Sequence, residues 1–218
     1  MEIENENLLM KGAKAFGIRL DEKNVEAFDL FLKELLKWNQ KINLTAIRTE
    51  KEIVLKHFLD SLSVQPYLPE YSSILDIGSG AGFPGIPLKI VAPSLEMTSI
   101  DSVRKKVDFQ RNIIRRLGLK GIKAIHGRAQ YREILQNFEA QFDVTLSRAF
   151  SDLQTFLILS FPFLKKDGRA IAMKGGMKTE EIQLLAEKEE TRYRLQKTVT
   201  FPLPFSSLKR SILLFEKQ

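Results

Sequence analysis

The chain has 218 residues, 44% of them apolar, and 34 Lys/Arg against 27 Asp/Glu give a net charge of +7; a chain this long buries about 70% of its unfolded surface, enough for one domain with an appendage but cramped for two. The absence of cysteine excludes disulfides, thiolate metal sites and thiol nucleophiles, and two histidines, His57 and His126, are too few for a metal cluster, so metal-free chemistry is expected. No apolar run reaches the roughly 18 residues that cross a bilayer, and the acidic, amphipathic opening MEIENENLLMKG is unlike a secretory signal, so a soluble, cytoplasmic protein without membrane contact is expected.

Residues 1–70 read as helices only. Asp21 is placed to cap a helix carrying Val25, Phe28, Phe31, Leu32, Leu35 and Leu36 at 3.6-residue spacing. Thr49-Glu50-Lys51-Glu52 has the capping-box form and predicts a helix to about Ser63, ended by Pro66 and Pro69. From Ser73 the runs SILDI, LEMTSI, IKAIH, FDVTLS and GRAIAM alternate with helical stretches near 84–91, 102–117, 130–137 and 151–164, which predicts a parallel sheet covered by helices. A further helix is expected at about 179–189. LQKTVTFPL and SILLFEK then follow with no crossover helix between them, the pattern of an antiparallel pair. The expected division is a helical extension, 1–70, and a core, 71–218.

The strongest local signal is Ile74-Leu75-Asp76-Ile77-Gly78-Ser79-Gly80-Ala81-Gly82-Phe83-Pro84-Gly85. A buried strand enters a turn in which Gly78, Gly80 and Gly82 allow positive φ and close backbone approach to a ligand, and Pro84 suits the first turn of a helix. Nicotinamide, flavin and adenosylmethionine sites all use such loops. The spacing is Gly-x-Gly-x-Gly rather than the Gly-x-Gly-x-x-Gly that seats a pyrophosphate, and Phe83-Pro84 obstructs that approach, so a dinucleotide is the second choice. Asp101 ends the second strand, 19 residues beyond Gly82, where a carboxylate can accept both hydroxyls of an adenosine ribose; capping the next helix is its alternative role.

Residues 104–132 hold ten Lys/Arg (Arg104, Lys105, Lys106, Arg111, Arg115, Arg116, Lys120, Lys123, Arg128, Arg132) and one acid, Asp108, a net +9 that leaves −2 elsewhere. Such a stripe suits a polyanion, whose phosphates release counterions on binding. Lys105 and Lys106 fall in a first helical turn, where the macrodipole disfavours cations. Arg148 stands at the carboxyl end of the fourth strand and so faces the cleft, and Lys174 follows the fifth strand and so sits near it. His57, Asp60 and Ser61 share a helical face, and a packed polar network tying the N-terminal helices to the sheet is the stronger reading of them.

The chain resembles the glucose-inhibited-division-B family of small-subunit ribosomal RNA (guanine-N7)-methyltransferases. The likeness runs through Trp38-Asn39-Gln40-Lys41-Ile42-Asn43-Leu44-Thr45, His57-Phe58-Leu59-Asp60-Ser61-Leu62 and the glycine loop to Leu88, then Asp101-Ser102 with Lys105-Lys106, Gly127-Arg128-Ala129, Ser147-Arg148-Ala149 and Lys174-Gly175. It implies an α/β, class I (Rossmann-like) methyltransferase fold with a seven-stranded, mostly parallel sheet. The implied cofactor is S-adenosyl-L-methionine, held by Gly78, Gly80, Gly82, Phe83, Asp101, Ser102, Ala129, Gln130 and Arg148. The implied substrate is the guanine conventionally numbered 527 in the 530 loop of 16S ribosomal RNA, naked or in the small subunit, with Lys105, Lys106, Arg128 and Lys174 on the RNA, Arg148 catalytic and the enzyme a monomer. Gln130 departs from the Glu usual after Arg128-Ala129, a change that contact through backbone groups tolerates. Guanine N7 presents its own lone pair, so no general base is needed; cytosine-C5 methylation needs a cysteine this chain lacks, and no Asn/Asp-Pro-Pro-aromatic run marks amino-nitrogen methylation. A nucleotide-dependent oxidoreductase and an RNA-binding module without catalysis remain the other readings.

Overall fold

A computed structural model of the chain describes residues 1–148, 150, 152–176 and 192–218. The N-terminal part is helical, as its pattern predicts: α1 (Ile3–Ala15), α2 (Glu22–Asn39) and α3 (Glu50–Ile53), the last running through a π-helical stretch, Val54–Leu59, into α4 (Asp60–Leu62). Asp21 caps α2 reciprocally: its carboxylate accepts from the Asn24 amide at 2.8 Å, and the Asn24 side chain accepts from the Asp21 amide at 3.2 Å. Thr49 accepts from the Glu52 amide at 3.4 Å, but the Glu52 carboxylate takes the Thr49 hydroxyl instead of its backbone amide, so this box closes on one side only.

The sheet has seven strands in the order β3-β2-β1-β4-β5-β7-β6, comprising β1 (Ser73–Ile77), β2 (Glu96–Asp101), β3 (Ile122–His126), β4 (Phe142–Arg148), β5 (Leu164–Gly175), β6 (Tyr193–Pro202) and β7 (Lys209–Lys217). The first five are parallel, and β7 lies antiparallel between β5 and β6. The expected terminal pair is therefore present, with its second strand inserted against the core. Between the strands run α5 (Gly85–Val91), α6 (Arg104–Arg116), α7 (Arg132–Phe138) and α8 (Leu153–Ser160). Pro84 stands just before α5 instead of in its first turn. The helix expected at 179–189 lies outside the described residues.

Phe28, Phe31 and Phe58 of the N-terminal helices form one buried cluster with Phe83, Ile86, Phe109 and Ile113 of the α5 and α6 region. Each fully buried aromatic contributes about 2–3 kcal/mol by leaving water, so the N-terminal helices are fastened to the α5 and α6 region by apolar burial. Glu34 of α2 adds polar contacts to Arg116 and Asn112 of α6. Strand order reverses between β1 and β4, which opens a crevice at the carboxyl edge of the sheet.

Candidate cofactor and substrate site

The crevice collects residues from five strand ends. The loop after β1 has positive φ at Gly78 (74°), Gly80 (57°) and Gly82 (91°). A Cβ added at Gly80 would meet nothing within 4 Å, and one at Gly78 would approach only the Phe150 ring, at 3.9 Å, so the loop presents bare backbone to open space. Gly82 differs: a Cβ there would collide with Ile86, which gives this glycine a packing reason of its own.

The loop's amides face inward. Gly78 and Ser79 donate to Ile100 O, Gly82 and Phe83 to Ser79 O, and Gly80 to the Asp101 carboxylate at 2.8 Å. The first turn of α5 is likewise satisfied, Gly85 donating to Asp76, Ile86 to Gly82 O and Leu88 to Pro84 O. A pyrophosphate needs such amides free. The loop therefore suits a nucleoside that brings no phosphate. Gln110 of α6 braces it, donating to Ser79 Oγ and Gly80 O at 2.8 and 2.7 Å. Reading the sequence missed this residue, although a glutamine between Val107 and Ile113 on a buried stripe was a signal.

Asp101 is 8% exposed at the end of β2. Its oxygens accept from Gly80 and from the Val103 amide at 2.8 Å each. The cap position of α6 belongs to Val103, with no side-chain cap, so the helix-capping alternative for Asp101 fails. Asp101 pairs in register with His126, and the next turn carries exposed Arg128, buried Ala129 and exposed Gln130 beside exposed Ser102. Loop, acid and turn thus fit the adenosine end of adenosylmethionine in the chemistry they offer: an open backbone cradle, a fixed carboxylate able to accept hydroxyls and an adjacent turn.

Two expected contacts are redirected. The Phe83 ring is 4% exposed and stacks on Phe31 (5.1 Å, 15°) and on His57 (4.4 Å, 12°), so only its backbone can reach a cofactor. Lys174 donates to Phe150 O and tethers the segment after β4; burial lowers its pKa.

Arg148 ends β4 inside a polar cage. Nη1 donates to Lys56 O at 2.9 Å and lies 3.4 Å from Asp60, Nη2 donates to His57 Nδ1 at 3.0 Å, and the guanidinium sits 5.1 Å from the Phe83 ring centre. Asp60 also accepts from Arg210 of β7 at 2.7 Å, a partner 150 positions away with no local sequence signal. Arginine has no acceptor, so His57 Nδ1 is unprotonated and Nε2–H donates to Thr45 Oγ1 at 2.8 Å. Burial, reinforced by Arg148, pushes the His57 pKa down to about 3, so the ring is neutral. The packed-network reading is therefore what the geometry displays for His57 and Asp60, which reach Arg148 and Arg210 of the sheet, whereas Ser61 bonds the His57 carbonyl of its own helix at 2.5 Å. Beneath it Asp76 is fully buried, accepts from Gly85 at 3.0 Å and has its carboxyl pushed up to about 8 by burial.

Fold and site together define a class I adenosylmethionine-dependent methyltransferase. The architecture matches a SAM-dependent methyltransferase from Aquifex aeolicus (TM-score 0.57, 17% identity, covering 75% of this chain and 92% of that one) and M. jannaschii TYW2 in complex with AdoMet (TM-score 0.55, 16% identity, 73% and 77%). The profile of GidB, the rRNA small subunit methyltransferase G family, matches residues 24–209, and the chain belongs to that family. Among its relatives are the ribosomal RNA small subunit methyltransferases G of Geobacter metallireducens (43% identity over 219 residues, 100% of this chain and 99% of that one) and Acetivibrio thermocellus (38% over 218 residues, 99% and 90%).

Proposed function

We infer that this protein transfers the methyl group of S-adenosyl-L-methionine to N7 of a guanine in 16S ribosomal RNA, the guanine numbered 527 in the 530 loop. Family membership supports the substrate class. The observation that carries the cofactor is the inward turn of five loop amides, which leaves a bare Gly78–Gly80 surface beside Asp101 and no anion cradle for a dinucleotide. In this reading Gly78, Gly80 and Gly82 shape the cradle, Phe83 adds backbone, Asp101 and Ser102 meet the ribose, and Ala129 and Gln130 flank the adenine. Exposed Lys105 and Arg128 and half-buried Lys106 take RNA phosphates. Lys174 serves the RNA by holding the segment that carries Phe150 and by its remaining donors. The helical extension, 1–70, walls the crevice formed by 71–218, and the enzyme works as a cytoplasmic monomer away from membranes; among the described residues no helix is long and apolar enough to cross one.

When bound, the cofactor supplies a sulfonium methyl group for in-line displacement. Guanine N7 attacks with its own lone pair, so the chain aligns the base and manages charge without removing a proton. Arg148 does this: three of its five N–H groups are spent on Lys56 O, Asp60 and His57, and the remaining two suit an oxygen acceptor such as guanine O6. Its burial keeps those donors out of competition with water.

Tritiated methyl transfer to 16S rRNA and to small subunits that lack the modification, with the label then mapped, tests the reading. Label on N7 of one guanine in the 530 loop is expected; label on adenine or cytosine overturns it. Calorimetry is expected to show binding of adenosylhomocysteine and none of NADH.

A further inference from the structure

We propose that His57 is the positioning residue for Arg148: a neutral imidazole of fixed tautomer that aims the guanidinium at the reacting base. The inference rests on the methyltransferase reading and deepens it. Three observations converge. Nη2 of Arg148 lies 3.0 Å from Nδ1 of His57, an acceptor only in the unprotonated state. Thr45 Oγ1, 2.8 Å from Nε2, holds the proton on the far nitrogen; Thr45 is itself fixed by Asn39, whose side chain accepts from the Thr45 amide and donates to the Thr45 carbonyl, both at 3.0 Å. The imidazole plane is locked by its stack on Phe83, the same ring that Arg148 overlies.

The helix is wound for this arrangement. Val54–Leu59 is π-helical, and the wider turn brings the Lys56 carbonyl, His57 and Asp60 around one guanidinium, whereas a π turn in an otherwise α-helical segment is a common mark of functional sites. An arginine needing only charge balance has Asp60 for that purpose. The histidine adds direction: a guanidinium held on both Nη atoms cannot rotate its two remaining N–H groups away from the direction these bonds set. His57 touches neither base nor cofactor in this scheme and acts through Arg148.

The test uses the full chain with small-subunit RNA as substrate. His57→Phe keeps a ring against Phe83 but removes the acceptor, and kcat is expected to fall about tenfold or more, as for a lost bond to a charged group, with little change in the KM for adenosylmethionine. His57→Asn, whose amide oxygen can replace Nδ1, is expected to recover most of the loss. In an Arg148→Ala background His57→Phe is expected to have no further effect. Independently of activity, 15N NMR of the two-histidine chain is expected to show an unprotonated Nδ1 and a protonated Nε2 on His57, and to lose that pattern in Arg148→Ala. The proposal is overturned if His57→Phe melts like the wild type and keeps full kcat, if Asn rescues no better than Phe, if the effects multiply in Arg148→Ala, or if the wild-type Nδ1 carries the proton. Should His57→Phe fail to fold, Thr45→Val decides: lower kcat with an unchanged melting point supports the proposal, and unchanged kcat ends it. If the wild type methylates nothing while the NMR pattern holds, the methyltransferase reading fails and the His57–Arg148 arrangement stands.

Discussion

Gly80 and Gly82 lie two positions apart, yet what each tolerates is set by different neighbours. At Gly80 a side chain has room but must adopt φ of 57° and would intrude on the cradle; at Gly82 it meets Ile86. Gly80→Val is therefore expected to abolish adenosylhomocysteine binding at a stability cost of about 1–3 kcal/mol, and Gly82→Ala to cost stability both through its φ of 91° and through overpacking against Ile86. Calorimetric titration alongside denaturant midpoints separates them, and a Gly82→Ala protein of native stability would refute both the strain and the packing at that position. Asp76 and His57 give the pH dependence. A carboxyl whose pKa rises on folding to about 8 stays protonated while its unfolded counterpart ionises, so the native state holds more protons and stability falls with pH between about 4 and 8. His57, lowered to about 3 on folding, has the opposite sign: its contribution is complete above the unfolded pKa of 6.5 and is lost as pH falls toward 3. Of these two effects, the Asp76 one alone acts above pH 6.5. Stability is expected to drop by about 1–2 kcal/mol from pH 6.5 to 8, and Asp76→Asn, which keeps an oxygen for the Gly85 amide, should remove that drop in urea titrations.

At the scale of elements, α2 reaches the site through one ring. Phe31 stacks on Phe83, which stacks on His57, which holds Arg148. Phe31→Ala is expected to destabilise the protein by about 3–5 kcal/mol, as for a large buried aromatic, and to lower methyl transfer under conditions where the variant is still folded; Phe31→Leu should retain more of both. Native methyl transfer by folded Phe31→Ala would show that the stack does not transmit position. The sequence made α2 legible because its cap and its apolar stripe agree, and β1 to β4 legible because short buried runs are bounded by turn residues. It was less explicit about β5, which was expected only over GRAIAM, from Gly168, after a helical stretch near 151–164. That stretch belongs to the strand through an irregularity in which Phe142 to Val144 of β4 face Leu164 to Arg169, with Asp167 at φ of 61°. The π turn left no mark, since its residues are ordinary helix formers and its cause is tertiary. The glycine loop, Asp101 and Arg148 were legible because strand ends and glycine spacing are local; Arg210 and the inward fate of the Phe83 ring depend on contacts from distant segments.

Across the whole molecule the basic stripe divides into charges with internal work and charges without it. Arg116 bonds Glu34, Arg111 donates to Ala124 O at 3.0 Å, Arg104 pairs with Asp108 at 3.7 Å, and Lys123 lies 5.0 Å from the centre of the Phe138 ring. Lys105 and Lys106 make no ion pair among the described residues, and they stand at the start of α6, beside the carboxyl edge where Asp101 lies. The charge free of internal partners is thus smaller than the sequence count suggests, and Lys105 and Lys106 are its part nearest Asp101. Converting Lys105 and Lys106 together to Glu is expected to weaken RNA binding and flatten the plot of log affinity against log salt by about 1.4–1.8, two phosphates at 0.7–0.9 each. Adenosylhomocysteine affinity should stay near the wild-type value, because the loop and Asp101 are untouched. Arg116→Glu should do the reverse, costing about 1–3 kcal/mol of stability by leaving the buried Glu34 facing a like charge, with little effect on the salt slope. Filter binding across a salt series, read beside denaturant midpoints for both variants, distinguishes the two kinds of cation. If the lysine pair variant keeps its slope and loses the cofactor instead, Lys105 and Lys106 belong to the cofactor site and the RNA face lies elsewhere.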